Sequence, residues 1–316
     1  MRHLYVIDPI ESFHIKKDTT FAFMMAAQAR GHENWICTLD DISGREGYAA
    51  AHVRRVTTRP VVGDHFAVTD ERTERLDAFN VIWMRKDPPF NTQYIYVTYL
   101  LDLVDPSRTL VMNRPQGLRN ANEKAFTLQF PSVIPPTLLS RSPSDIRAFC
   151  EEVGGHAVIK PLDLMGGTGI FVLRSDDTNF NSIVDAVTRH RTEFVMVQRY
   201  LPDAKLGDKR LLLIDGEIIG ALLRVPQGLD FRGNMAAGGI ATATEITDRD
   251  REIVDVVAPR LRAEGLHFVG LDVIGGYVTE INVTSPTGIV EASRFHDRDL
   301  ADVVIGWAER NAPSAD

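Results

Sequence analysis

Between Phe268 and Pro286 the chain reads FVGLDVIGGYVTEINVTSP, two apolar runs joined by Gly275-Gly276 and carrying Asp272, Glu280 and Asn282. Apolar alternation broken by paired glycines is the pattern of a β-hairpin. Side chains two residues apart share a strand face, so Glu280 and Asn282 project together. Whether Asp272 joins them depends on register. A two-residue turn, Gly275-Gly276, pairs Asp272 with Thr279 and sends Glu280 to the other face. A three-residue turn, Gly275 to Tyr277, pairs Asp272 with Glu280. In that second register three oxygen-bearing side chains converge, and two close, buried carboxylates repel and are costly to desolvate. A hard cation such as Mg²⁺ offsets both terms. The same residues also fit a solvent-facing strand edge that carries acids.

A chain of 316 residues has room for two or three compact units. Its formal net charge of -8 argues against nucleic acid as the main partner, though a local basic pocket for an anion stays open. Cys37 and Cys150 are far apart and form no CxxC, which argues against a disulfide framework or a zinc site. The nine histidines show no metalloprotease spacing. The N-terminus lacks an apolar leader and no run approaches the ~18 apolar residues of a membrane span. The expectation is a cytoplasmic protein with no membrane contact.

Leu4 to Asp8 reads as a strand, Phe21 to Arg30 as a helix and Asn34 to Thr38 as a second strand, the opening of an open parallel sheet with ligand groups at its strand ends. Between them, His14 to Asp18 carries Lys16 and Lys17, which either face a carboxylate substrate or lie in a solvated loop. The segment from Asp40 to Asp77 shows no clear period. Asn80 to Met84 is a strand leading into Arg85-Lys86-Asp87-Pro88-Pro89, where two prolines hold the preceding charges on an extended backbone. A helix over Thr92 to Leu103 and a strand over Thr109 to Met112 follow.

Leu118 to Phe130 has a helical pattern. Further strands are read at Thr137 to Leu139, Ala157 to Pro161, Ile170 to Leu173 and Phe194 to Arg199, with helices at Ser144 to Val153 and Asn179 to Arg189. Lys160 ends a strand just before a glycine-rich loop, Asp163 to Gly169. The lysine precedes the glycines and a strand follows them, so this is a cover and not a P-loop. Glycine lets backbone N–H groups approach a phosphate, and Lys160 adds a point charge. The exit of Phe194 to Arg199 exposes peptide groups suited to an adenine edge, or else serves as a hinge.

A hairpin turned at Asp215-Gly216 is flanked by Arg210 and Arg224. With a two-residue turn Arg210 lies nearly opposite Ala221, and both guanidinium groups sit at the open end of one sheet. That position suits either phosphate oxygens or solvent. Arg232 lies in a glycine- and alanine-rich stretch, Pro226 to Gly239, that reads as a lid or as irregular chain. Thr247 to Glu264 and Asp299 to Arg310 are the last helices.

Taken together, IKKD at Ile15 to Asp18, MRKDPPF at Met84 to Phe90, NEKAF at Asn122 to Phe126, KPLDLMGG at Lys160 to Gly167, GDKR at Gly207 to Arg210, RGNMAAGG at Arg232 to Gly239 and the acidic hairpin resemble the ATP-grasp superfamily. Within it the chain is similar to the prokaryotic glutathione synthetases over nearly its whole length. The 40–77 segment and the GIVEASRF run after Thr287 depart from that pattern.

The resemblance implies an α/β, ATP-grasp fold of three α/β domains. These are an N-terminal open parallel sheet for substrate (1–121), a central lid domain (122–200) and a C-terminal antiparallel-sheet domain with the metal and catalytic residues (201–316). It implies ATP-dependent ligation of γ-glutamylcysteine and glycine through an acyl phosphate. On that basis Lys124, Lys160, Gly166 and Gly167 hold ATP phosphates, Gln198, Tyr200 and Leu201 meet adenine, and Asp208 meets ribose. Asp272, Glu280 and Asn282 carry Mg²⁺ or Mn²⁺. Arg210, Arg224 and Arg232 stabilise and shield the acyl phosphate. Lys17, Arg85 and Ser285 face the substrates. A homo-oligomer is implied too. The alternatives are a sister ATP-grasp ligase with another acceptor, and a non-catalytic nucleotide binder.

Overall fold

The computed structural model describes residues 1–227 and 238–313. Strand β1 (Arg2–Val6), helix α1 (Thr19–Ala29) and strand β2 (Glu33–Cys37) form the expected βαβ opening, with β1 and β2 parallel. Asp18 starts α1 where it does, because its Oδ1 accepts from the Phe21 N–H at 2.7 Å.

The aperiodic 40–77 segment is β3 (Ile42–Arg45), β4 (Tyr48–Thr58) and β5 (Phe66–Arg75), all antiparallel. Two features hid β4. Its inward residues begin with small alanines, Ala49 and Ala51, and a register shift between Arg55 and Val56 breaks the alternation before Val56. With β6 (Val81–Met84), helix α2 (Thr92–Leu101) and β7 (Leu110–Met112), these strands make a seven-stranded sheet of order β3-β4-β2-β1-β6-β7, with β5 on β4. The expectation of an open parallel sheet holds for β2-β1-β6-β7, and the remainder is an antiparallel extension.

The helical pattern at Leu118 to Phe130 is not one helix. Helix α3 (Pro115–Asn120) ends, and a 3₁₀ turn over Ala125–Gln129 follows. Asn122 divides them: its Oδ1 accepts from the Lys124 and Ala125 N–H groups at 3.1 and 2.9 Å, an alternative to helical bonding.

The central sheet contains β8 (Thr137–Ser140), β9 (His156–Pro161), β10 (Phe171–Arg174) and β11 (Val195–Arg199), antiparallel in the order β10-β9-β11-β8. Helices α4 (Pro143–Glu152) and α5 (Phe180–Val187) cover it through Ile146, Cys150, Phe180 and Val184, which gives it a core of its own.

The third sheet is antiparallel, β14-β13-β12-β15-β16, built from β12 (Asp208–Ile214), β13 (Glu217–Val225), β14 (Ile240–Thr242), β15 (Phe268–Ile274) and β16 (Tyr277–Asn282). Helix α6 (Asp248–Glu264) packs on one face, and α7 (Ile289–Phe295) with α8 (Leu300–Asn311) on the other. The first and third sheets share core: Leu4 and Val6 belong to the cluster of Leu211 and Val269, and Tyr5 and Phe23 to that of Leu212 and Phe268. Among the described residues no helix is long and apolar enough to cross a membrane.

Candidate active site

The acidic hairpin combines the two registers its sequence allowed. Ile274 pairs with Tyr277 across a two-residue turn, yet Asp272 pairs with Glu280 and Gly270 with Asn282. A register shift next to Asp272 makes Thr279 the extra residue, so the short turn and the carboxylate pairing coexist. The β12–β13 hairpin repeats the device. Ile214 faces Glu217 as expected, but a shift at Leu212/Leu213 moves Arg210 from the expected Ala221 to Leu222 and sets Arg224 opposite Asp208. Arg210 in turn pairs with Asp272 on β15. One row across β12, β15 and β16 therefore reads Arg210, Asp272, Glu280.

The arginines are not free at an open sheet end, as their sequence position suggested. Arg210 holds Asp272 with two bonds of 2.8 Å, Nε to Oδ1 and Nη2 to Oδ2. Arg224 Nη2 lies 2.9 Å from Asp272 Oδ2 and also donates to Asp208 Oδ2. All four side chains are buried. Burial alone would raise the Asp272 carboxyl, but the two guanidinium groups outweigh it and hold it below the usual carboxylate range. At Asp208 burial wins over Arg224 and pushes the carboxyl up to about 7. Asp208 Oδ1 and Arg224 Nε have no hydrogen-bond partner among the described residues.

Two cavities meet at Glu280, which lines both. The smaller, about 80 Å³, has walls of Val158, Ile170, Tyr200 and Leu201 and polar groups from Lys160, Gln198, Asp208 and Asp272. Burial lowers the Lys160 ammonium pKa. Gln198 Nε2 donates to Thr137 Oγ1 at 3.1 Å, and the Tyr200 ring stacks on His156 at 4.0 Å. The N–H groups of Arg199 and Tyr200 at this exit already bond to the Pro136 and His156 carbonyls. The larger cavity, about 340 Å³, is lined by Lys17, Arg85, Gly166, Arg210, Arg224, Asn282 and Ser285. Lys124 is beside it, with Nζ donating to Leu164 O at 2.6 Å and 4.0 Å from Glu280 Oε1. Gly166 and Gly167 have φ of 65° and 81°, where a side chain would be strained. Arg232 lies outside the described residues.

Sequence reasoning missed four contributors. Asp18 lines the larger cavity. Glu123 also lines it, half-buried, and accepts from the Val283 and Thr284 N–H groups and from Thr284 Oγ1 at 3.1, 3.2 and 2.7 Å, fixing the chain after Asn282. Asp18 and Glu123 sit inside the IKKD and NEKAF motifs, so a signal existed. His156 and Asn113 gave none. Asn113 bonds to Phe268 O, Val283 O and the N–H groups of His267 and Phe268, at 2.7 to 2.9 Å.

Among the described residues no three His, Cys, Asp or Glu side chains cluster as a metal site. The donor set expected from the sequence is Asp272, Glu280 and the Asn282 amide, whose Nδ2 donates to Gly270 O at 3.2 Å, so that its Oδ1 is the atom able to coordinate. Two carboxylates and an amide suit an ion that takes its remaining oxygens from phosphate and water, as Mg²⁺ does. The residues fit the group.

The family model for the prokaryotic glutathione synthetase N-terminal domain matches residues 1–119, and that for the ATP-grasp domain of the same enzymes matches residues 123–297. The chain is 50% identical to the glutathione synthetase of Synechococcus elongatus, over 98% of each chain. It is 46% identical to that of Yersinia pestis, over 96% of each. Among solved structures it resembles D-cycloserine synthetase DcsG, with a TM-score of 0.69 at 14% identity over 98% of this chain and 99% of that one. It also resembles the ATP-grasp ligase PsnB, with a TM-score of 0.63 at 17% identity over 98% of each chain. At such identities the likeness speaks for the fold alone. By sequence over nearly its full length, and by fold, the chain belongs to the prokaryotic glutathione synthetase family of ATP-grasp enzymes.

Proposed function

We propose that this chain is an ATP-dependent carboxylate–amine ligase that joins γ-glutamylcysteine to glycine, giving glutathione, ADP and phosphate. The observation that carries the reading is the row Arg210, Asp272, Glu280, placed where the two cavities meet. The smaller cavity has the apolar walls that a nucleotide base needs, with Tyr200 and Leu201 beside it. Gln198 lines it with them, and the unpartnered Oδ1 of Asp208 offers an acceptor to a ribose hydroxyl. Lys160 and Lys124 supply charge for the phosphates, under the loop that carries Gly166 and Gly167.

Asp272, Glu280 and Asn282 would hold the divalent ion, Mg²⁺ or Mn²⁺. Bound there with the nucleotide, it supplies charge neutralisation at the transferring phosphoryl group. The donor carboxylate oxygen bonds to the γ-phosphorus as the bond to ADP breaks. The glycine amine then attacks the acyl carbon, and phosphate leaves with the bonding pair. Arg210 and Arg224 are already oriented by Asp272 and Asp208, so they neutralise developing charge without reorganising. Lys17 and Arg85, which line the larger cavity, would face the donor, and Ser285 on the same cavity would take the glycine carboxylate. Arg232 has the role of shielding the acyl phosphate from water.

In this reading 1–121 is the substrate unit, 122–200 the cover and 201–316 the metal-bearing unit of a cytoplasmic homo-oligomer. The test is phosphate release from ATP and Mg²⁺ with γ-glutamylcysteine, with and without glycine, and product mass by spectrometry. Release that needs both, with the mass of glutathione, supports the proposal. Release only with another amine, or none at all, overturns it.

A further inference from the structure

Among the described residues, Gln198 is the one side-chain amide that lines the smaller cavity, and it is only 2% exposed. Strand β11 brings it there. Gln198 pairs with Val158 on β9, which lines the same cavity, and with Thr137 on β8. Residues opposite each other in a ladder share a face and lie close enough to interact. A primary amide has an acceptor end and a donor end, and a ligand reads whichever is turned toward it. Thr137 decides which end that is. Its hydroxyl has one proton, and Oγ1 lies 2.7 Å from Pro135 O, which can only accept. That proton goes to Pro135, so Oγ1 meets Gln198 with a lone pair. Gln198 Nε2 donates to it at 3.1 Å. Turning the amide over would set Gln198 Oε1 and Pro135 O in competition for a single proton and leave one acceptor unmet. The end that remains for the cavity is Oε1. The peptide donors beside it, the N–H groups of Arg199 and Tyr200, are already bonded to the Pro136 and His156 carbonyls.

We infer that Thr137 is a positioning residue that makes the smaller cavity selective for 6-aminopurine nucleotides, by holding the Gln198 amide with its acceptor end toward the base. The inference rests on the nucleotide reading above and adds to it the group that decides which purine is taken. A 6-amino group donates, and Oε1 accepts from it. A 6-oxo group, as in hypoxanthine or guanine, faces Oε1 as acceptor against acceptor. A site arranged around one hydrogen bond rejects the analogue that cannot make it, because its own polar group is then left unpaired. Thr137 does not itself line the cavity. It acts through Gln198, so its effect is a difference between purines and not a change in overall affinity.

The test is equilibrium binding, with Mg²⁺ present, of ATP, of inosine triphosphate, which carries a 6-oxo group, and of purine riboside triphosphate, which carries hydrogen there. The wild type is expected to bind ATP roughly tenfold to hundredfold more tightly than inosine triphosphate, with purine riboside triphosphate between them. Thr137→Val keeps the branched shape and removes the hydroxyl, so the amide is free to turn and offer Nε2 to a 6-oxo group. The preference for ATP should then shrink to roughly threefold or less. Thr137→Ser keeps the hydroxyl and should keep the preference. A wall that is merely loosened weakens all three nucleotides alike and leaves their ratios where they were. Equal binding of ATP and inosine triphosphate by the wild type overturns the inference without any variant. A full preference in Thr137→Val, or a lost one in Thr137→Ser, overturns it too. If the wild type binds none of the three nucleotides, the functional reading fails and takes the inference with it, which is a different result.

Discussion

Asp272 and Glu280 are paired carboxylates in very different electrostatic states. Asp272 has both oxygens bonded by arginines, whereas among the described residues the cation paired with Glu280 is Lys124, at 4.0 Å. Among the described residues Glu280 is therefore the member of the pair with fewer counter-charges, and the one a divalent ion would gain most from. Replacing it by glutamine removes that charge while keeping the shape. Glu280→Gln is expected to keep the wild-type melting temperature within a degree or two and to lose turnover by about a hundredfold or more. Turnover within a factor of three of wild type, assayed at saturating Mg²⁺, would refute the assignment. The residues that form this row were all legible in the sequence, because acids and arginines inside apolar strands stand out. The Asp272–Glu280 pairing was one of the two registers the sequence left open and is reached through the register shift next to Asp272, whereas the place of Arg210 beside Asp272 comes from the β12–β15 pairing, which no residue type announces.

The elements are joined by two polar devices. Asn113, just after β7, satisfies four backbone groups of the third sheet and its flanks. Asn113→Ala leaves those groups buried and unpaired, and chemical denaturation should show a loss of about 3 kcal/mol or more. The second device is a hydrogen-bond chain on the face of the first sheet that packs with α1 and α8. Trp83 Nε1 donates to His3 Nδ1, so His3 donates from Nε2 to His32 Nδ1, both at 3.0 Å. Glu309 on α8 lies 3.4 Å from His32 Nε2. Burial, then His32 and the Met1 amine, lower the His3 pKa from 6.5 to about 3. Burial lowers His32 as well, against the pull of Glu309 and with Arg30 and the Met1 amine also facing it. Between pH 6.5 and about 3 the unfolded chain binds a proton at His3 that the folded chain refuses, so stability falls as pH falls. The slope from this one group approaches ~1.4 kcal/mol per pH unit. Urea titrations from pH 7 to 4 should show this slope in the wild type and a shallower one in His3→Asn. Strands and helices with a clean period were readable. The 42–75 strands were not, because alanines and a bulge blur the alternation, and the helical pattern at 118–130 concealed the Asn122 turn.

At the scale of the whole molecule, the smaller cavity lies between the second and third sheets, with Val158 and Ile170 on one side and Asp272 and Ile274 on the other. A ligand there bridges two bodies with separate cores. ATP with Mg²⁺ at a hundredfold excess over its dissociation constant should raise the melting temperature by roughly 4 °C. Chelation with EDTA should remove most of that rise, and an unchanged melting curve would count against the cavity as the nucleotide site. The Asn113 clamp also has a consequence for biosynthesis. Asn113 and its partner Phe268 are separated by 155 positions. At ~5–20 residues per second, the ribosome needs roughly 8–30 s to make the intervening chain. During that interval the first sheet must persist with its clamp unmatched and with the Arg85 guanidinium still without the Pro286 carbonyl. The segment from Phe268 to Pro286, made late, closes the clamp and completes the cavity wall, so a nascent chain stalled before β15 would be partly folded and inert.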